Sequence, residues 1–251
     1  MVTLNSITYQ TKDKTLVKEV SATFEKGKIN LILGPNGAGK STLIKLISGE
    51  LKPTSGNILF EDLNLQHDSL KELAKFRAVL SQSLELSFPL HVHEVVLMGR
   101  YPHFEGKPAT IDLEICEDSM KLFDVHEMRN RNYLTLSGGE KQRVQFARVF
   151  AQIWRPIKGK SRLLLLDEPL TFLDIFYQYD LMKKIENFMD SNPDLTVIGV
   201  LHDINIAAKF SYTIMLLKNS KVFDFGASKD VLTENNIFNV FNVVVEDRFK
   251  I

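Results

Sequence analysis

Three glycines, a lysine and two hydroxyls fall within nine residues, Gly34-Pro35-Asn36-Gly37-Ala38-Gly39-Lys40-Ser41-Thr42, in the order G-x-x-x-x-G-K-S. Glycines let successive backbone N–H groups turn inward as a nest, and a helix N-terminus behind them adds partial positive charge. The stretch therefore suits a phosphate chain. Lys40 supplies a mobile full charge for the β- and γ-phosphates, and the Ser41 hydroxyl is placed to ligate Mg2+. Asp167 and Glu168 form a second group, behind the apolar run Leu163-Leu164-Leu165-Leu166. Ligands of open α/β sheets bind at the carboxyl ends of such strands. Asp167 there can hold the shell of a Mg2+ ion, which leaves Glu168 to orient or deprotonate a water in line with the γ-phosphate.

Leu136-Ser137-Gly138-Gly139-Glu140 is a third. Ser137 and Glu140 read as a capping box. Two glycines in the first helical turn each cost about 1 kcal/mol against alanine, which makes sense if bare backbone must approach something closely. A helix start also favours an anion, so the chain has two anion-binding helix starts and one phosphate loop. His202 closes an apolar run and is followed by Asp203. At a strand end beside a phosphate site its ring N–H can donate to the γ-phosphate. Tyr9 reads either as a cover for a sheet edge or as a plate stacking on a nucleotide base. His91 and His93 alternate with no further ligand nearby, so they predict no metal site.

The elements that must carry these groups follow from periodicity. Residues 2–10 and 16–24 alternate as strands around a polar turn at 11–14, and Ile29–Leu33 reads as a buried parallel strand. A helix follows the loop and stops at Gly49. After a turn at Pro53-Thr54-Ser55-Gly56 come a strand over 57–60, a helix over 68–77 and a short apolar run ending at Gln82. Helices near 92–100, 110–124 and 138–154 form a strand-poor insert between about 85 and 155. Alternation then resumes with strand 162–166, helix 175–190, strand 195–201, helix 203–210 and strands 213–217 and 221–225. Short helices near 228–241 come last. The pattern predicts a mainly parallel sheet with helices on both faces.

The chain has 251 residues, with 44% hydrophobic and 25% charged, ordinary values for a globular protein. Lys+Arg 31 balances Asp+Glu 31, so no net basic field argues for nucleic acid or an anionic lipid surface. One cysteine, Cys116, excludes an intrachain disulfide and fits a reducing cytoplasm. No signal-peptide pattern is read at the start and no apolar run reaches membrane-spanning length, so work at a membrane would need other subunits to span it.

Taken together, these segments resemble the ATP-binding subunits of ABC transporters almost end to end. Gly34 to Thr42 matches the Walker A loop, Gln82 the Q-loop glutamine, Leu136 to Glu140 the signature and Leu163 to Glu168 the Walker B strand. His202 matches the switch histidine, and Tyr9 falls where the family carries its adenine-stacking aromatic. The resemblance implies a P-loop NTPase fold of RecA-like type. That fold has an α/β core (about 1–84 and 156–251), an antiparallel β subdomain and an inserted α-helical subdomain (about 85–155), in one ATP-binding domain. It implies ATP hydrolysis with Mg2+, Gln82 joining Ser41 and Asp167 at the metal, and Gln82, Lys40, Glu168 and His202 in the chemistry. It also implies a head-to-tail homodimer with ATP sandwiched between the Walker A loop of one copy and Ser137, Gly138 and Gly139 of the other. Polytopic permease subunits, indirectly a substrate-binding protein, and a peripheral place on the cytoplasmic face of the inner membrane are implied as well.

One stretch departs from the family, which usually writes a threonine-serine-alanine-like sequence after the Walker B glutamate and proline. Here stands Leu170-Thr171-Phe172-Leu173-Asp174, with Asp174 matching the D-loop aspartate and Leu170 and Phe172 bulkier than usual. Phe88-Pro89-Leu90 with residues 94–103 looks like the iron-chelate group of importers (siderophore, haem and cobalamin). Residues 146–154 with the extra polar loop 155–162 look most like haem importers. Two further classes are weighed. A soluble ABC ATPase of DNA repair or translation would carry a long coiled coil or a tandem domain, neither of which is read here. One acting in iron–sulfur assembly fits residues 94–103 less well than an importer. A GTP switch would need an N-K-x-D motif, which the sequence lacks.

Overall fold

The computed structural model describes residues 1–65, 69–81, 86 and 88–244. Gln82 lies outside the described residues. In chain order the first elements are β1 (Val2–Gln10), β2 (Thr15–Phe24), β3 (Ile29–Leu33), α1 (Lys40–Ile47), β4 (Ser55–Phe60) and β5 (Leu63–Asn64). Next come α2 (Leu70–Leu73), β6 (Arg77–Leu80), α3 (Val92–Leu97), α4 (Thr110–Leu122), α5 (Gly138–Gln152), β7 (Arg162–Asp167) and α6 (Ile175–Asp190). The chain goes on through β8 (Leu195–Val200), α7 (Ile204–Phe210), β9 (Thr213–Lys218), β10 (Lys221–Ala227), α8 (Ser228–Val231) and α9 (Glu234–Phe241). Two units emerge, one of residues 1–67 with 198–251 and one of residues 68–197.

In the first unit β2, β1, β4 and β5 form an antiparallel sheet in that order. Val2 pairs with both Phe24 and Phe60, and alternation buries Val2, Leu4, Phe24, Ile58 and Phe60 on one face. Between Leu4 and Ile7 the register shifts at Ser6, whose φ of 49° marks the bulge. β3 runs parallel to β9, and β10 returns antiparallel along β9. All five residues of β3 are buried, as a parallel strand covered on both faces requires. Entry to β3 is pinned by Asn30. Its Oδ1 accepts from Thr213 Oγ1 (2.7 Å) and from the Glu25 N–H (3.1 Å), while its Nδ2 donates to the Glu25 carbonyl (3.0 Å).

In the second unit β6 and β7 are parallel, from Arg77 opposite Leu163 to Leu80 opposite Leu166. α5 packs on α3 and α4 around an aromatic cluster in which Phe123 lies 4.8 Å and Phe188 5.1 Å from Phe150, ring centre to ring centre. Arg162 is the largest fully buried side chain. Its guanidinium makes a two-pronged contact with Asp194 (2.7 Å on each arm) and donates to the carbonyls of Ile153 and Trp154 (2.6 and 2.9 Å) and to Asn192 (2.6 Å). The fork ties both ends of the polar loop before β7 to the turn before β8.

Two helices differ from their expected lengths. Of the helix expected over 68–77, the described residues 69–77 are helical only over Leu70–Leu73, because Arg77 to Leu80 is drawn into pairing with β7 and backbone pairing overrides local propensity. The helix expected over 92–100 ends at Leu97 and tightens into a 3-10 turn, Met98–His103, that holds Pro102. Gly99 there lies so close to α5 that a Cβ would strike the Arg148 carbonyl oxygen. Among the described residues no helix is long and apolar enough to cross a membrane.

Candidate functional site

β3 and α1 carry the glycine loop. α1 has Gly39 at its cap, with no side-chain cap and no acid in its first turn, so the N–H groups of its first turn lie at the glycine loop. The positive end of the helix is left uncompensated by any first-turn acid. Gly34, Gly37 and Gly39 hold φ of 154°, 77° and 101°. A Cβ at Gly34 would strike the Leu217 carbonyl oxygen and one at Gly39 the Leu16 carbonyl oxygen, so both sites need glycine twice over. Lys40 is buried at 5% exposure, its Nζ donating to the loop carbonyls of Gly34 (2.8 Å) and Pro35 (3.1 Å). Pro35 and Gly39 are half-buried, Ala38 is buried, and Asn36 and Gly37 are exposed at the tip. Ser41 and Thr42 are half-buried.

His202 belongs to the same unit. The Leu201 N–H donates to the Ile32 carbonyl (3.3 Å), so the chain leaving β8 runs beside the end of β3 and holds exposed His202 next to the start of the loop. Asp203 caps α7, accepting from the N–H groups of Asn205 (2.7 Å) and Ile206 (3.0 Å). Tyr9, half-buried near the end of β1, stands opposite Val17.

In the other unit, Asp167 ends β7 buried at 5% exposure. Half-buried Glu168 follows with a φ of 51°. Ser137 caps α5 in a complete capping box: its N–H donates to Glu140 Oε2 (2.7 Å) and its Oγ accepts from the Glu140 N–H (3.2 Å). The Ser137 backbone N–H holds the Glu140 carboxyl below the usual carboxylate range, aided by the Ser137 hydroxyl and by Arg131, 2.9 Å away.

What the two glycines approach is now explicit. A Cβ on Gly138 would lie 3.2 Å from Phe172 Cβ, and one on Gly139 would lie 3.5 Å from the Phe172 carbonyl oxygen. The helix start therefore packs on the segment following Glu168. Around it lies a recess of about 700 Å3, lined by Ser137, Gly138, Gly139, Arg143, Phe172 and Asp174 among others. Phe172, Ile175 and Phe176 stand 75%, 75% and 71% exposed beside it.

Sequence reasoning passes over Gln142 and Arg143, which look like the solvated face of an amphipathic helix. Gln142 Nε2 donates to the Pro169 carbonyl (2.6 Å), and the Arg143 guanidinium lies 4.5 Å over the Tyr177 ring. The polar pair directly after a glycine helix start was the available signal.

A family model described as ABC transporter matches residues 17–171. The Hemin import ATP-binding protein HmuV of Escherichia coli O157:H7 is 40% identical over 234 residues, 93% of this chain and 89% of that protein. The dimeric ATP-binding cassette MJ0796, bound to ADP and phosphate in a post-hydrolysis state, is 26% identical with a TM-score of 0.78 over 91% of this chain and 99% of that one. A metal-chelate type ABC transporter in an inward-facing conformation matches in fold, with a TM-score of 0.82 at 24% identity over 99% of this chain and 93% of that one.

Proposed function

The chain belongs to the ABC transporter family, and on that premise we propose that it is the ATP-hydrolysing subunit that energises an importer of haem or a related iron chelate. The observation that carries the reading is the 40% identity to a hemin import ATP-binding protein over 93% of the chain. Hydrolytic chemistry is supported residue by residue. The glycine loop offers N–H groups and Lys40 to the β- and γ-phosphates, and Tyr9 stacks on the adenine. Glu168 orients or deprotonates the attacking water, while His202 donates to the γ-phosphate.

Mg2+ fits this donor set. Among the described residues no cluster of three His, Cys, Asp or Glu could hold a metal by itself. A hydroxyl, a carboxylate and phosphate oxygens are what Mg2+ accepts while keeping several waters. Ser41, Asp167 and Gln82 would supply the protein oxygens to such an ion, whose charge would offset that developing on the phosphates.

Ser137, Gly138 and Gly139 read the γ-phosphate of a nucleotide held by a second copy of the chain. The two side-chain-free residues in the first turn of α5 and the exposed Phe172, Ile175 and Phe176 beside them favour a partner there. ATP contacts made only in the pair would draw two copies together, and loss of the bridging phosphate would release them. Polytopic permease subunits in the inner membrane bind the assembly on its cytoplasmic face, a binding protein delivers the cargo, and no nucleic acid takes part.

The test is to co-express the chain with its permease and binding protein and measure ATP turnover. Haem-loaded binding protein should stimulate the wild type. Lys40→Ala should bind ATP weakly, and Glu168→Gln should bind it, hydrolyse poorly and accumulate as a closed dimer. Stimulation by a siderophore or cobalamin instead would reassign the cargo, and near-normal turnover by Glu168→Gln would remove that residue's role.

A further inference from the structure

Seven residues from Glu168 to Asp174 link β7 to α6, and two of them, Glu168 and Phe172, hold left-handed backbone (φ 51° and 68°) without being glycine. Such residues persist only where the surroundings hold them. Three side chains do so here. Thr171 Oγ1 donates to the Glu168 carbonyl (3.0 Å), and Gln178 of α6 donates to the Leu173 carbonyl (3.0 Å). Gln142 of α5 reaches across to donate to the carbonyl of Pro169 (2.6 Å), the residue directly after Glu168.

We propose that Gln142 is a positioning residue for the hydrolytic step: its amide N–H, by holding the Pro169 carbonyl, fixes the left-handed turn that aims the Glu168 carboxylate. Gln142 does not itself touch nucleotide or water. The inference rests on the reading of Glu168 as the water-orienting group, and it adds a division of labour along α5. In that reading the first turn of α5 serves a nucleotide held by the second copy. Gln142, in the following turn, serves the carboxylate of its own chain.

Three substitutions test this in the assembled transporter. Gln142→Glu keeps the shape and removes the donor, Gln142→Met removes all polarity, and Gln142→Lys keeps an N–H donor at similar reach. Losing one half-buried hydrogen bond to the turn behind Glu168 should lower kcat about tenfold in the first two while leaving the ATP KM within about twofold, and Gln142→Lys should recover much of the rate. A KM rise at unchanged kcat, or no change in either, would overturn the proposal.

A mixed pair then separates positioning from general damage to the helix. Combining a Lys40→Ala chain with a Ser137→Arg chain leaves one intact composite site, whose Glu168 comes from the Ser137→Arg chain. Gln142→Glu should depress turnover when placed on that chain and leave it unchanged when placed on the Lys40→Ala chain. Loss confined to the latter placement, or equal loss from both, would refute action on the same chain's Glu168. If the mixed pair has no turnover even with Gln142 intact, the shared-site reading fails. The kcat and KM of the singly substituted protein then still decide the role of Gln142.

Discussion

Left-handed backbone at Phe172 is the sharpest local anomaly in the chain, since an aromatic there pays steric strain and recovers little by burial at 75% exposure. Phe172→Gly should therefore raise the unfolding free energy by up to about 1 kcal/mol, because glycine adopts this φ without strain. A chemical denaturation midpoint that moves up with an unchanged slope would bear this out, and a lower midpoint would show that the ring's contact with Gly138 outweighs the strain. The phosphate loop was legible because its signal is local: three glycines, a lysine and a serine between an apolar strand and a helix. The capping box of Ser137 and Glu140 was legible for the same reason. The meaning of Gly138 and Gly139 was only half legible. Close approach could be inferred from their cost, but Phe172, the group approached, lies far along the chain.

At the scale of elements, two polar clamps hold the second unit together. Arg162 is fully buried and pairs with Asp194, which stays 27% exposed, so loss of the guanidinium strands the Ile153 and Trp154 carbonyls and Asn192 Oδ1 as well as the carboxylate. Arg162→Met should cost about 3 kcal/mol, read as a lower thermal midpoint, with the loop before β7 becoming the first site of limited proteolysis. The 3-10 turn after α3 is clamped by Arg100 on Asp112 (3.0 Å) and on the Ala151 carbonyl (2.7 Å), and by His103 Nε2 on the Gln152 carbonyl (2.7 Å). Burial, with Arg100 nearby, lowers the His103 pKa from its ordinary 6.5. Below 6.5 the unfolded chain takes up a proton at this ring that the folded chain resists. The stabilising contribution of neutral His103 is thus present above 6.5 and lost as pH falls from there toward the depressed value. Unfolding free energy measured from pH 7.5 down to 5 should fall more steeply for the wild type than for His103→Phe. Neither clamp could be read from sequence. Arg162 looks like one more charge in a polar loop, and its side-chain partners Asp194 and Asn192 lie about thirty residues away. The same limit explains α2, where a helical pattern gave way to a strand whose partner is β7.

For the whole molecule, Cys116 offers a reporter. Burial pushes its thiol up to about 12, so the native chain holds almost no thiolate there at neutral pH. Alkylation should be undetectable in the folded protein and become rapid only at denaturant concentrations that open residues 68–197; fast labelling in buffer would contradict the packing of α4. The division into units has a further consequence, for synthesis. The second unit is one continuous stretch, whereas the first joins residues 1–67 to 198–251. The strand that leads into the glycine loop needs β9 beside it, and Asn30 meets Thr213 across 183 positions. At about 5–20 residues per second, a ribosome leaves that strand edge waiting roughly 10 to 40 s for its neighbour. A nascent chain thus completes its helical unit first and gains its grip on nucleotide only once β9 has been made.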